Sequence, residues 1–496
     1  HEIRHSREYG IRSASANFHF QDVMDRVRSV IATIAPHDSV ERYESLARQV
    51  AIQVTDPRRR ATLIPCTPEN DSAVDDDCAG HFLTEAGRFL FRRPLSDSEI
   101  QAYVGMAHSA TETIGDFDAG LRAALVGMLV APDFLFRVER AEPDPDRLEK
   151  LRLDAYSRAS RLSFFLWDTT PDAELMAAAQ SGALDSPEGL NQQVERLLSS
   201  PRVEDGLRAF FSDMLGFDGF ATLSVDSSLF PKFTKNVEDE AREQTLRTIA
   251  DHLLRRSGDY RDLFVTRDTF LTPSLAALYG VPLPRVQELG GAVPWVRYRF
   301  PDDNPHVGLL TQASFLALHS HPGSTSPTLR GKALRENLLC QRIPPPPGDV
   351  DFSLVQDTGN PAFKTVRQRL AVHRENPTCA ACHRLTDPVG LTLEVFDVSG
   401  VYRTTENGAP IDTSGNFRGT PYASVTELAP ILRDDPTATS CLVNRAFSYG
   451  TARLPTDEEF SWLVDTRSSL IEASVGWRDL MRRIAHYPDF YTNRVE

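Results

Sequence analysis

Cys379-Ala380-Ala381-Cys382-His383 is the stretch of this chain whose residue types and spacing name a chemistry. Two thiols three positions apart can each add across one haem vinyl group, and the adjacent imidazole then lies beneath the iron as an axial ligand. Axial ligands set reduction potential and reactivity. The same residues also suit a C-x-x-C disulfide beside an incidental His, or half of a zinc site. Zinc asks for two further ligands, and no second C-x-x-C or H-x-x-x-H follows at finger-like spacing. One covalent haem c, held by Cys379, Cys382 and His383, is the expected cofactor, with His383 as the proximal metal ligand.

Other residues are candidates to complete that site. His319 and His321 lie in a loop broken by Pro322 and Gly323, just before a helix expected to end at Cys340. Either is a candidate distal iron ligand, as is Met481 near the C-terminus; surface loop positions for the histidines and core packing for Met481 are the plainer roles. Arg330 and Lys332, and Arg374 and Arg384 on either side of the attachment string, are candidates to neutralise haem propionates. His373 suits a helix end or a propionate. Glu394, Asp397, Glu406 and Asp412, interleaved with Gly400, Gly408 and Gly415, raise a calcium site, although turn chemistry is the ordinary use of Asp and Gly and no twelve-residue EF-hand loop is present. No Walker loop, dinucleotide fingerprint, G-x-S-x-G or H-E-x-x-H occurs.

The elements that must position these residues read as mainly α. Apolar residues recur at helical spacing over 20–34 and 39–52, and Ser96 with Glu99 has the form of a capping box after Pro94. The stretch 117–138 is the most apolar helical run, followed by a polar, proline-bearing linker over 139–148. Helices are predicted over 154–167, 171–180, 187–198, 203–215 and 237–256, a short hairpin around Trp295 to Phe300, and helices again over 306–318 and 329–340. A stiff Pro344–Pro347 run precedes a helix over 361–374, an attachment loop, an irregular excursion to Gly419 and closing helices over 425–432, 439–450 and 456–487. The division expected is an N-terminal helical domain (1–143), a central helical domain (144–350) and a C-terminal cytochrome c-like haem domain (351–496).

Composition bounds the setting. With 496 residues, 41% hydrophobic and 25% charged, this is the make-up of a globular protein of several domains. A net charge of −15 speaks against nucleic acid and anionic membrane surfaces as partners. The best apolar run, 123–136, contains Pro132 and Asp133, so no membrane span is expected. The sequence begins at His1, as a mature or trimmed product whose leader has been removed would. Of six cysteines, four remain beyond the attachment pair. Cys66 and Cys78 enclose a short acidic loop and suit a local disulfide, which leaves Cys340 to pair with Cys441, with free thiols as the alternative. Haem c and disulfides both belong outside the cytoplasm, so a periplasmic or extracellular location is expected.

A family resemblance adds to this reading. Arg92-Arg93-Pro94-Leu95, Met128 to Arg137, Ser160 to Trp167, Gly308 to Ser314, Thr325-Ser326-Pro327 with Arg330-Gly331, and Cys382-His383 with Asp387-Pro388-Val389-Gly390 occur in this order. The chain resembles the exported cytochrome-like proteins of planctomycetes and myxobacteria, built from consecutive domains of unknown function and ending in a haem-binding-like segment. The resemblance implies export, a helical architecture and a C-terminal cytochrome c-like domain, and it implies no substrate. The family often carries Met two residues before the Asp-Pro, where this chain has Leu385-Thr386. The expectation is electron transfer through one haem c, with a redox partner protein or a small-molecule electron donor. A haem oxidase or peroxidase with His319 or His321 as acid-base group is the alternative, and a secreted scaffold with C-x-x-C as a disulfide the third.

Overall fold

The computed structural model describes residues 40–147, 149–283, 295–344, 362–373, 375 and 377–493, with main chain alone at 40, 373, 377–379 and 493. The fold is mainly α. The expected helix over 20–34, the boundary at 350/351, Arg374 and most of the Pro344–Pro347 run lie outside the described residues. The chain gathers into two compact units, one running to Ala209 and resumed from Ile484, the other from Phe210 to Arg483.

In the first unit α1 (Val40–Val54), α2 (Pro57–Leu63), α3 (Asp76–Leu90), α4 (Asp97–Ile114) and α5 (Phe117–Leu129) enclose a core that includes Phe82, Leu83, Leu121, Leu125 and Met128. The capping box forms as expected: the Ser96 hydroxyl accepts from the Glu99 amide and the Glu99 carboxylate accepts from the Ser96 amide. The Cys66–Cys78 disulfide is present and joins the loop before α3 to its first turn. The helix expected over 117–138 is interrupted, because Pro132 cannot continue the hydrogen-bond ladder and starts a separate turn, α6 (Pro132–Leu135). The expected linker carries β1 (Ala141–Pro143), paired with β2 (Leu151–Leu153), which in turn pairs with the last strand, Thr492–Asn493. Within the same unit follow α7 (Ala155–Trp167), α8 (Ala173–Gln180) and α9 (Pro187–Ser199). Arg161, buried on α7, binds the Glu139 carboxylate and the carbonyls of Phe490 and Thr492.

Helix α10 (Val203–Met214) leads into the second unit. There α11 (Lys235–Ala250) runs on as a π turn over Asp251–Arg255, and β3 (Asp268–Leu271) pairs antiparallel with β4 (Val296–Arg299); the short hairpin expected in this region is instead a strand pair whose connection carries α12 (Pro273–Tyr279). The helix expected over 306–318 is a 3-10 turn, Leu309–Thr311, and then α13 (Ala313–Leu318). After it come α14 (Pro327–Ala333), prolonged by a π turn over Leu334–Leu338, then α15 (Val366–His373) and α16 (Pro377–Thr392). Two small hairpins, β5/β6 (Thr405–Glu406, Ala409–Pro410) and β7/β8 (Gly415–Phe417, Thr420–Tyr422), occupy the glycine-rich excursion. Helices α17 (Val425–Asp434), α18 (Pro436–Thr451), α19 (Asp457–Glu472) and α20 (Trp477–His486) close the chain. The single helix expected over 456–487 is two, because Val475 is drawn out to bond Asp259 and the Tyr260 amide. Cys340 and Cys441 form the second expected disulfide, fixing the end of the π turn to α18.

Candidate functional site around His383

The attachment segment is helical and not the loop expected. Pro377 opens α16, so the C-x-x-C-H string fills its first two turns. Cys382 is a half-buried free thiol. On a helix the side chain four residues after His383 lies on the same face, and that residue is Asp387. Its carboxylate accepts from His383 Nδ1, with both oxygens at 3.0 Å. Because a carboxylate only accepts, Nδ1 carries the proton. The Asp387 side chain is 0% exposed and the His383 side chain 12%. Two hydroxyls complete the carboxylate's shell: Thr328 donates to it at 3.0 Å and Thr386 at 3.2 Å.

Helix α14 supplies Thr328 and lies unusually close to α16. A Cβ on Gly331 would sit 2.0 Å from the Thr386 carbonyl oxygen, and one on Gly390 would sit 1.8 Å from the Pro327 carbonyl oxygen. Only glycine permits this approach from both sides. Ser326 caps α14, and Arg335 in its π turn donates to the Leu385 carbonyl.

The other candidate residues are dispersed. Arg330 is wholly buried, and its guanidinium donates to the carbonyls of Leu316, Leu393, Phe396 and Asp397 and to the Ser320 hydroxyl. Burial pushes it down to about 10 despite the nearby Glu394 carboxylate. Glu394 accepts from Thr325 and Arg403, and burial raises its pKa. His319 packs its ring edge against Phe315; burial first, and the Arg330 charge second, push it down to about 4. Its Nε2 is shut off from solvent with no hydrogen-bond partner among the described residues. Thr328 and Arg330, two positions apart, project to opposite sides of α14. His383 lies beside Thr328 and His319 beside Arg330, so the helix separates these two histidines. His321 is exposed in a turn closed by its pairing with Ser324. Met481 is buried in the core. Arg384 is exposed beside the string and bonds the Ala380 carbonyl, while Lys332 sits 3.9 Å from Glu336.

The four carboxylates considered for calcium go to separate partners: Glu394 to Arg403, Asp397 to the turn at Ser399 and Val401, Glu406 to Arg369, and Asp412 to Arg367 and Ser414. Among the described residues no group of three His, Cys, Asp or Glu side chains forms a metal site, and no helix is long and apolar enough to cross a membrane.

Asp387 and Thr328 are the site residues that sequence reasoning did not single out. The signal for Asp387 was the spacing of four from His383, which has meaning only once the segment is recognised as a helix.

Three family models match in succession. Residues 78–139 match PSD5, a protein of unknown function (DUF1595); residues 153–281 match PSD4, a protein of unknown function (DUF1592); and residues 306–406 match PSCyt3, a protein of unknown function (DUF1588). The third match takes in α13 through β5, and so both helices that build the His383 site. No curated protein and no solved structure matches the chain.

Proposed function

We propose that this chain is an exported monohaem c-type protein that transfers electrons, with Cys379 and Cys382 as attachment thiols and His383 as the proximal ligand. The observation that carries the reading is the His383 imidazole held through Nδ1 by a buried carboxylate, directly after the free thiol of Cys382. Metal-ligating histidines characteristically give their second ring N–H to such an acceptor, which fixes the tautomer and leaves Nε2 to face the metal. A bound haem would supply one-electron exchange with a partner protein or a small-molecule donor. Asp387 and Thr328 orient the ring, and exposed Arg384, with Lys332, offers positive charge for propionates. Arg330 is spent on main-chain carbonyls and His319 lies across α14, so neither enters the proposed site. Two disulfides support an oxidising compartment, and the name PSCyt3 suggests a cytochrome-like family.

Co-expression with a haem c maturation system tests the reading. A Soret band that stays with the denatured polypeptide, and is lost in Cys382→Ala, is the expected result. Its absence from the wild-type protein would sink both redox readings in favour of a binding or scaffold role. A covalent haem that reacts rapidly with peroxide would replace electron transfer by an oxidase or peroxidase.

A further inference from the structure

Asp387 differs from the other fully buried carboxylates of its unit. Glu394 and Glu459 are 1% and 2% exposed, and each has an arginine partner, Arg403 and Arg453. Asp387, at 0% exposed, is within ion-pair reach of no arginine or lysine among the described residues; its basic partner is His383. Burying a carboxylate without a cation is costly unless something else neutralises it. Two hydroxyls and one imidazole N–H do this in part, and they aim the remaining negative charge along the Nδ1 bond. We infer that Asp387 sets the reduction potential of a metal centre bound at His383, favouring its oxidised form, with Thr328 as an opposing control. The inference rests on the haem reading for the centre's identity.

A carboxylate accepting from Nδ1 draws that proton away and makes Nε2 a stronger donor to a metal. The oxidised centre carries one more positive charge than the reduced one, so a stronger donor and a nearby buried anion stabilise it preferentially. Thr328 donates to the same carboxylate and withdraws part of that charge from the ring. Asp387 thus makes the centre a readier electron donor, and the Thr328 hydroxyl moderates it. The partner this fits is a one-electron acceptor of higher potential, which gains the electron that the reduced centre loses.

Two substitutions with opposite signs test this in the full-length holoprotein. In Asp387→Asn the reduced-to-oxidised ratio at a fixed poise should rise at least tenfold, about 59 mV for one electron. In Thr328→Val, which leaves the carboxylate to His383 and the Thr386 hydroxyl, the ratio should fall. A purely structural role would give no shift, or shifts of one sign in both variants, and either outcome overturns the inference. A haem-independent measurement separates this from the haem reading. In the apoprotein, nitrogen NMR of His383 should show the Nδ1–H tautomer, and Asp387→Leu should convert it to Nε2–H. If the wild-type protein takes up no haem but the tautomer switches, the haem reading falls and the Asp387–His383 coupling stands. An unchanged tautomer rejects the coupling itself.

Discussion

His383 and His319, two of the three histidines considered for one iron, sit in different environments, and the difference comes from a single helix turn. His383 faces Thr328 and a carboxylate, while His319 is beside Arg330, on the far side of α14, with a buried nitrogen that has no partner among the described residues. His319→Leu should therefore leave the spectrum of a loaded protein unchanged. Replacing an unsatisfied buried polar group with an apolar one of similar size is nearly neutral or stabilising, by up to about 1 kcal/mol. Chemical denaturation compared at pH 7 checks the second half, and a changed spin state would refute the first. The attachment string was legible because thiol and imidazole chemistry is tied to a short spacing. Arg330 was legible as a cation and not as a buried one. Its direction depends on helical phase relative to a partner segment more than sixty residues away, which no local pattern encodes.

At the level of elements, motifs recognised as separate strings prove to be two halves of one contact. Arg330-Gly331 belongs to α14 and Asp387-Pro388-Val389-Gly390 to α16, and each glycine lies against the other helix's main chain. Gly331→Ala would place a methyl 2.0 Å from the Thr386 carbonyl oxygen, so the helices must part. The expected cost is about 3 kcal/mol, at the upper end for overpacking. Loosening this seam would also lengthen the Thr328–Asp387 bond and expose Cys382 to thiol reagents. The matched contrast is Gly105→Ala on α4, where a Cβ meets nothing within 4 Å and helix propensity should add up to about 1 kcal/mol. Thermal unfolding of the two variants tests both signs; equal effects would refute the close-packing argument. Helix content and both disulfide pairings could be read from period, capping residues and cysteine spacing. The breaks at Pro132 and Val475 differ in legibility: proline announces the first, whereas the second is imposed by Asp259 and Tyr260, distant in sequence.

Across the whole molecule, each unit carries one disulfide and its own response to acid. In the second unit His306 is buried among Phe300, Tyr279 and Phe396, and donates through Nε2 to the Gly400 carbonyl. Burial pushes its pKa down from 6.5 to about 4 despite that bond, and His319 behaves alike. Below about 6.5 the unfolded chain binds protons that these folded rings refuse, so stability falls as pH drops through the window from 6.5 to 4. For His306 the loss at the bottom of that window is about 3 kcal/mol. Glu394 opposes it: its folded pKa is raised, so it stabilises below the ordinary carboxyl value and loses this as pH rises. The first unit has a different order of events. His108 is raised by Asp76, which favours the fold at lower pH, and Glu99, lowered to about 2 chiefly by Arg93, protects the unit until the pH falls below 4.5. Hydrogen exchange at pH 7.5 and pH 5 should thus show protection lost among the described residues of 210–483 and retained among those of 40–209. His306→Gln keeps a donor for the Gly400 carbonyl and removes the titrating ring. It should weaken the acid response of the second unit, leaving the part due to His319, and leave the first unit unchanged. Equal loss of protection in both units at pH 5, or an acid response that survives His306→Gln together with His319→Leu, would show that other groups govern it.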